Sequence, residues 1–182
     1  MTVRFLANFK KYIIKGDIFV SQAEESDTAA VMTLLVQTAE WLSSKGSAQW
    51  GALLSGEDQH NTAQSIKNGD VYLFRERDTL AGTVTILRHP SEWDIRLWDA
   101  EGHEGAVYLH RLAVNRMYAG RQLGRHMLQW AHTGIQFEGC DRIRLDCIES
   151  NAVLNRFYQE CGYKYVGASG GYSRYEKFIK AD

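Results

Sequence analysis

The sequence is poor in cysteine, nearly free of net charge and without a long apolar run, and each shortage excludes a class of protein. Only three of its 182 residues are cysteine, and they form no CxxC pair, which argues against a metal site and favours free thiols in a reducing cytosol. The formal net charge of −1 gives no field that would attract nucleic acid or acidic lipid. No segment approaches the ~20 apolar residues of a membrane span. We therefore expect a cytoplasmic protein that uses no metal, nucleic acid or membrane.

The chain divides into a short basic start and one domain. Residues 1–15 are partly apolar. A signal peptide needs an uninterrupted apolar stretch, and Lys10, Lys11 and Lys15 break any such stretch here. We expect an N-terminal extension there. Residues 16–182 have the length of a single domain, and a hydrophobic content of 45% is ordinary for a globular protein that buries a sizeable core.

Two common phosphate-binding signatures are also missing, but a third kind of anion site is predicted. The chain has no G-x-x-x-x-G-K-[ST] and no G-x-G-x-x-G after an N-terminal strand. Residues 107–124, VYLHRLAVNRMYAGRQLG, nevertheless indicate a buried strand, a glycine turn and the start of a helix. Such a junction presents backbone N–H groups to an anion, and Gly120 and Gly124 allow a close approach. The pattern predicts a phosphate-bearing cofactor at this helix start.

A second strand and helix follow in residues 142–167, RIRLDCIESNAVLNRFYQECGYKYVG. Ile143, Leu145 and Cys147 alternate with polar residues, as in a strand with one buried face. Asn151 suits the N-cap of the next helix, and Gly162 suits its end. This segment therefore predicts a strand, a capped helix and a sharp stop.

These two segments resemble motifs A and B of the GNAT superfamily of N-acetyltransferases. Motif A runs V-x-P-x-x-[RQ]-G-x-G-x-[GA], and its strand end and two of its glycine positions are matched by Val114, Gly120 and Gly124. Three positions depart from it, with arginine for proline, alanine for Arg or Gln, and glutamine for the middle glycine, at Arg116, Ala119 and Gln122.

Motif B, N-x-x-A-x-x-x-Y-x-x-x-G-[FY], is matched in register by Asn151, Tyr158, Gly162 and Tyr163, with Leu154 in place of alanine. With the element order, the resemblance covers residues 17–180 and is closest to bacterial small-molecule acetyltransferases. It implies the α/β (α+β) GNAT fold, a mixed central sheet of about six to seven strands flanked by about four helices. The sheet should splay at the strands near 107–114 and 142–148. Residues 88–105, which contain the only proline, are predicted to form an irregular loop.

The resemblance implies acetyl-CoA as the cofactor. Backbone N–H groups at the helix start would hold the diphosphate, the end of the preceding strand would pair with the pantetheine arm, and Asn151 would contact that arm. Arg121 and Arg125 either add charge to the phosphates or are solvated helix residues. The predicted cofactor-binding residues are Leu112, Ala113, Val114, Ala119, Gly120, Arg121, Gln122, Leu123, Gly124, Arg125, Asn151 and Tyr158.

Transfer to an amine needs a proton acceptor, because an alkyl amine with a pKa of ~10.4 is almost entirely protonated at neutral pH. We predict His110 as the base, since its type titrates near neutrality. The strand LHRLAV is similar to LHALAV strands of arylalkylamine acetyltransferases, in which the equivalent histidine removes the proton. A satisfied core histidine is the competing interpretation, and Asp146 and Glu149 are alternative bases.

The departing thiolate needs a proton or a strong hydrogen bond. Tyr158 matches the family's general acid, and a phenol of pKa ~10 is protonated at pH 7. The competing interpretation is a core aromatic residue. Cys147 has no paired base and is not expected to act as a nucleophile.

Tryptophans and acids are concentrated in two segments, residues 40–50 and 88–105, that would border the acceptor pocket. An aromatic and acidic rim would suit a small cationic amine; its acids fall between residues 92 and 104, and the alternative is a set of core tryptophans beside a solvated loop. The predicted substrate-binding residues are Trp41, Trp50, Trp93, Trp98 and Glu149.

The sequence thus predicts an acetyl-CoA-dependent N-acetyltransferase that acts on a primary amine by direct attack in a ternary complex. Two alternatives stay open: an acyl-CoA-binding or regulatory module that has lost turnover, and an enzyme that acetylates a protein N-terminus or lysine. The family is often dimeric, so a homodimer is among the expected assemblies.

Overall fold

A mixed β-sheet forms the centre of the molecule. The computed structural model describes residues 8–9, 12–13 and 18–179. The ten strands of this part are β1 (Asn8–Phe9), β2 (Tyr12–Ile13), β3 (Ile18–Gln22), β4 (Val71–Glu76), β5 (Thr79–Leu87), β6 (Ala106–Val114), β7 (Ile135–Gln136), β8 (Arg142–Ile148), β9 (Lys164–Ser169) and β10 (Tyr172–Phe178). Eight of them form one sheet in the order β2-β3-β4-β5-β6-β8-β10-β9, and β1 pairs separately with β7.

Five helices cover the sheet. They are α1 (Thr28–Ser44), α2 (Thr62–Asn68), α3 (Glu92–Trp98), α4 (Leu123–Thr133) and α5 (Ala152–Glu160). The seven strands of five or more residues confirm the predicted mixed sheet. The predicted extension, residues 1–15, lies outside the described residues except for the backbone of β1 and β2. Within the described ranges, no helix is long and apolar enough to cross a membrane.

The alternation of side chains along the strands divides the core between the two faces. In β4, Val71 and Leu73 pack with α1 and α2 on one face. Tyr72 and Phe74 point to the other face, where their rings lie 5.1 and 5.2 Å from the Trp130 ring of α4. This is the period of two expected for a strand that is buried on both faces.

The prediction of an irregular loop over residues 88–105 was wrong, because α3 lies within it. Ser91 caps this helix, and its hydroxyl accepts a hydrogen bond from the Asp94 N–H while the Asp94 carboxylate accepts one from the Ser91 N–H. Leu97 and Trp98, the last two residues of this helix, are buried. Seven residues are too few to show a helical period, so reciprocal capping and packing decide the conformation.

Two irregularities of β6 shape the middle of the sheet. Its parallel pairing with β8 is confined to three positions, which end at Tyr108 opposite Arg144. Beyond them the strands separate, which confirms the predicted splay. On its other side, β6 carries a β-bulge. Thr83 faces Ala113 and Thr85 faces His110, so this stretch of β6 contains one residue more than the stretch of β5 opposite it.

Gly82, the one glycine of β5, leaves no room for a side chain. A Cβ there would lie 2.9 Å from the Ala113 carbonyl oxygen and 2.7 Å from the Met127 sulfur. Overpacking of this kind costs about 1–3 kcal/mol, so Gly82→Ala should lower the Tm by ~2–12 °C. Calorimetry checks this, with Gly51→Ala as the control, because a Cβ at Gly51 meets nothing within 4 Å. Equal Tm values for the two variants would contradict the assignment of a close approach at Gly82.

Candidate active site

A cleft of about 480 Å³ opens where β6 and β8 separate. Its walls come from α1, the segment after α1, β6, the start of α4 and α5. The splay leaves the backbone of β6 beyond Tyr108 paired with β5 alone, so its other edge faces the cleft. An extended ligand can therefore add hydrogen bonds to this edge as a further strand would.

The turn before α4 has the backbone conformation that motif A requires. Gly120 and Gln122 both have left-handed φ angles, +79° and +56°, so Gln122 adopts a glycine-like conformation although it is not glycine. A Cβ on Gly120 would meet nothing within 4 Å, which leaves open space over the turn. The first N–H groups of α4 have no partner within the helix and carry its positive dipole end. The turn and helix start together provide a site for a phosphate group.

The other predicted cofactor residues occupy several environments. Leu112, Val114, Gly124 and Tyr158 line the cleft. The side chains of Ala113 and Leu123 are buried in the core and offer only their backbone. Ala119 is exposed in the turn.

The two predicted phosphate arginines are held by acids on neighbouring elements. Arg121 lies 2.7 Å from Glu76, and Arg125 lies 3.0 Å from Glu160. Asn151 caps α5 by accepting a hydrogen bond from the Leu154 N–H. Each of the three side chains thus has a partner within the protein, and none of them is part of the cleft lining.

His110 lies in the cleft wall and is paired with a carboxylate. Its Nε2 lies 3.1 Å from both carboxylate oxygens of Asp94, and both side chains are buried. Burial opposes the charged imidazole, but the hydrogen bond and the charge of Asp94 outweigh it, so the pKa of His110 is raised above its ordinary value. Burial likewise opposes the Asp94 carboxylate, yet contact with His110 holds the pKa of Asp94 below its ordinary value. Since a carboxylate only accepts, Nε2 donates and Nδ1 carries the lone pair of the neutral ring.

A second carboxylate faces the cleft close to this pair. Asp146 of β8 lines the cleft and accepts a hydrogen bond of 3.2 Å from the Trp93 indole N–H. Burial raises the pKa of Asp146, and His110 acts against that rise. Among the described residues, ligand atoms of Asp94, His110 and Asp146 lie within 4.8 Å of one another, a spacing compatible with a metal ion. The absence of a metal stays a prediction.

Tyr158 lies on α5 with its ring packed against Phe157, Tyr163 and Tyr175. It is 6% exposed and lines the cleft. Burial raises the pKa of Tyr158 well above 10, and the nearby Cys147 and Asp146 add to the effect. The phenol therefore stays protonated throughout the neutral range.

The tryptophans divide between the cleft and the core. Trp41, Trp50 and Trp93 line the cleft. Trp98 is buried in a separate apolar cluster with Leu97, and the structure does not bring it to the cleft. Glu149 is exposed and also lies outside the cleft lining.

The acids of residues 92–104 do not form a rim on the cleft. Asp94 is buried against His110, and the other four acids of this segment are exposed and absent from the lining.

Sequence reasoning did not single out several polar side chains of the cleft. Among them are Gln49, His60 and Arg111. Burial, with help from the charges of His110 and Arg111, lowers the pKa of His60 to about 4, so it is neutral beside His110, whose ring centre lies 5.1 Å away. No local pattern marks these residues, because two of them lie in the irregular segment between α1 and α2.

The residues of the cleft fit the parts of acetyl-CoA. The α4 start offers N–H groups for phosphates, the open β6 edge offers hydrogen bonds for an amide-bearing arm, and the ionisable side chains of His110 and Tyr158 line the same cleft. Acetyl-CoA bound in this way would supply an acetyl thioester within the cleft.

Comparisons with known proteins agree with this geometry. The chain is 46% identical over 170 residues to an uncharacterized N-acetyltransferase, YesJ, of Bacillus subtilis strain 168, which covers 93% of this chain and 94% of that protein. It also resembles the crystal structure of a GNAT-family acetyltransferase from Listeria monocytogenes 4b F2365, with a TM-score of 0.76 and 38% identity over 89% of this chain and 95% of that one.

A shorter match links the chain to a spermine/spermidine N(1)-acetyltransferase of B. subtilis strain 168, with 31% identity over 71 residues. This match covers 38% of the chain and 47% of that enzyme. Residues 35–163, which hold both motifs and the whole of the β6–β8 splay, match the acetyltransferase (GNAT) family model. The chain therefore belongs to the GNAT family of N-acetyltransferases, which use acetyl-CoA as the acyl donor.

Proposed function

We propose that this enzyme transfers the acetyl group of acetyl-CoA to the primary amine of a small acceptor that enters as its ammonium cation. The observation that carries the proposal is the meeting, in one cleft, of the α4 start, the open β6 edge, the His110–Asp94 pair and Tyr158. We further propose that residues 16–182 act as a single catalytic domain.

His110 receives the proton of the amine in this proposal. Asp94 holds the ring in one tautomer and stabilises the imidazolium that forms, as an orienting carboxylate does beside other catalytic histidines. Asp146 attracts the ammonium group of the acceptor before that group loses its proton. The neutral His60 beside His110 adds no competing positive charge.

Tyr158 donates to the sulfur of the leaving thiolate. Complete proton transfer from a phenol to a thiolate of pKa ~8.5 is uphill, so a strong hydrogen bond is its main contribution. Direct attack needs no enzyme nucleophile. Cys147 supports this, because burial raises its pKa to about 12, helped by Asp146, and it lies outside the cleft lining.

Small acceptors are favoured by the lining of the cleft. Trp41 and Trp50 form aromatic walls, and the guanidinium of Arg116 lies 4.1 Å from the centre of the Trp41 ring. The partial similarity to a polyamine acetyltransferase also supports a small-molecule acceptor over a protein.

Binding of acetyl-CoA is the first expected result. At about 100 times its Kd, a ligand stabilises the native state by ~2.7 kcal/mol, which corresponds to a rise in Tm of roughly 5–10 °C for a domain of this size. Thermal-shift titrations with ATP and NAD are the controls and should leave the Tm unchanged. Release of free thiol in a panel of primary amines then tests turnover. Binding of acetyl-CoA without thiol release for any amine would refute the proposed reaction.

A further inference from the structure

Buried polar atoms without hydrogen-bond partners are concentrated around the cleft. Eight such side-chain atoms occur among the described residues, and five belong either to side chains that line the cleft or to carboxylates paired with a charged side chain of the lining. These five are Gln49 Oε1, Asp58 Oδ1, Asp94 Oδ1, Arg111 Nε and Arg111 Nη1. A buried polar group without a hydrogen-bond partner destabilises the folded state, so their clustering indicates a site for a polar ligand.

Arg111 is the most distinctive of these residues. It sits in the β-bulge of β6 with a left-handed φ of +52°, a conformation that is uncommon for a side chain of this size. Successive residues of a regular strand point to opposite faces. The bulge instead places both His110 and Arg111 in the lining of the cleft.

The charge of Arg111 is only loosely balanced. The Asp58 carboxylate lies 3.6 Å from Nη2, beyond hydrogen-bond distance, and its other oxygen accepts from the Thr62 N–H at the start of α2. The guanidinium lies 5.1 Å from the centre of the Trp50 ring. Arg111 is 7% exposed, and its Nε and Nη1 have no hydrogen-bond partner among the described residues. A buried guanidinium with free donors is the residue type that pairs best with a carboxylate.

We propose that Arg111 binds a carboxylate of the acceptor, so that the substrate is an amino-carboxylic acid and not a plain amine or polyamine. This inference rests on the proposed amine acetylation. His110 and Arg111 are consecutive, and consecutive Cα atoms are ~3.8 Å apart. Both side chains line the same cleft, as Asp146 of β8 does, so we expect the amine and the carboxylate to be close neighbours in the acceptor.

Matched pairs of acceptors test the proposal. Tyramine and tyrosine differ by one carboxylate, as do cadaverine and lysine. For each pair we expect kcat/KM to be higher, by about tenfold or more, for the carboxylate-bearing member. This factor corresponds to one charge-assisted hydrogen bond. In Arg111→Gln this ratio should fall toward one, mainly through a higher KM. The control is Arg75→Gln, another arginine paired with an aspartate (Asp27, 2.8 Å) but outside the cleft, and it should keep the wild-type ratio.

A binding measurement separates failure of this inference from failure of the proposed reaction. With coenzyme A present, the carboxylate-bearing members should raise the Tm of the wild type and not of Arg111→Gln. If no amine is acetylated but this difference is found, the reaction is wrong and the carboxylate site stands. A wild-type preference for cadaverine, tyramine or spermidine would overturn the inference. So would an equal loss for both members of each pair in Arg111→Gln, because that result assigns Arg111 a purely structural role.

Discussion

Replacing Tyr158 by phenylalanine is expected to lower kcat by about 10²- to 10³-fold, the range for losing one hydrogen-bond donor to a developing negative charge. The hydroxyl is the one group that the change removes, and the ring keeps its packing against Phe157 and Tyr175. The KM for acetyl-CoA should change little, because the phenol acts on the leaving group. Steady-state thiol release measures both constants.

Tyr163→Phe is the matched control for this change. Tyr163 is also buried, its ring centre lies 6.2 Å from that of Tyr158, and its hydroxyl has no hydrogen-bond partner in the part of the chain that the structure describes. It does not line the cleft, so its kcat should stay at the wild-type level. If both variants lose activity to the same extent, the effect is one of packing and Tyr158 is not the acid.

His110→Gln is expected to lower kcat/KM by about 10²- to 10³-fold near neutral pH. Glutamine can still donate to Asp94, so the buried carboxylate keeps a partner. In the wild type, His110 accepts a proton only when neutral, and contact with Asp94 raises its pKa. Activity should therefore rise with pH through an apparent pKa above 6.5, and this limb should be absent from His110→Gln.

Asp94→Asn separates the role of His110 from that of Asp146. Loss of the carboxylate removes the charge that raises the pKa of His110, so the rising limb should move to lower pH. If Asp146 were the base, the limb would instead survive in His110→Gln. Thermal shifts with acetyl-CoA, measured on each variant, show whether the fold and the cofactor site are intact.

The parts of the fold predicted from the sequence are those that local chemistry determines. The strand, turn and helix around Gly120, and the strand and capped helix around Asn151, each carry their signals within a few residues. The reciprocal capping of α3 by Ser91 and Asp94 is also a local signal. However, the third residue of this helix is aspartate, where the usual capping box has Glu or Gln. That helix was missed for this reason and because it is short.

The candidate site was predicted only in part, because its geometry depends on contacts between distant segments. The pairing of His110 with Asp94 joins residues 16 apart, and that of Trp93 with Asp146 joins residues 53 apart. The bulge at Arg111 changes the register of a strand without changing its composition, so no pattern of hydrophobicity marks it. The placement of Trp98 in the core and of Trp93 in the cleft follows from the orientation of α3 on the sheet.

The separation of β6 and β8 also has a consequence for solubility. A strand at the margin of a sheet, such as the outer strand β9, has one unpaired edge that is open to strand addition from another molecule. The unpaired stretches of β6 and β8 lie in the interior of the sheet instead, between walls that include Trp41 and Phe157. A neighbouring sheet cannot reach them, whereas a thin linear chain can. The protein thus keeps a hydrogen-bonding surface made of backbone without the aggregation hazard that such a surface carries elsewhere, and most side-chain substitutions leave that surface unchanged.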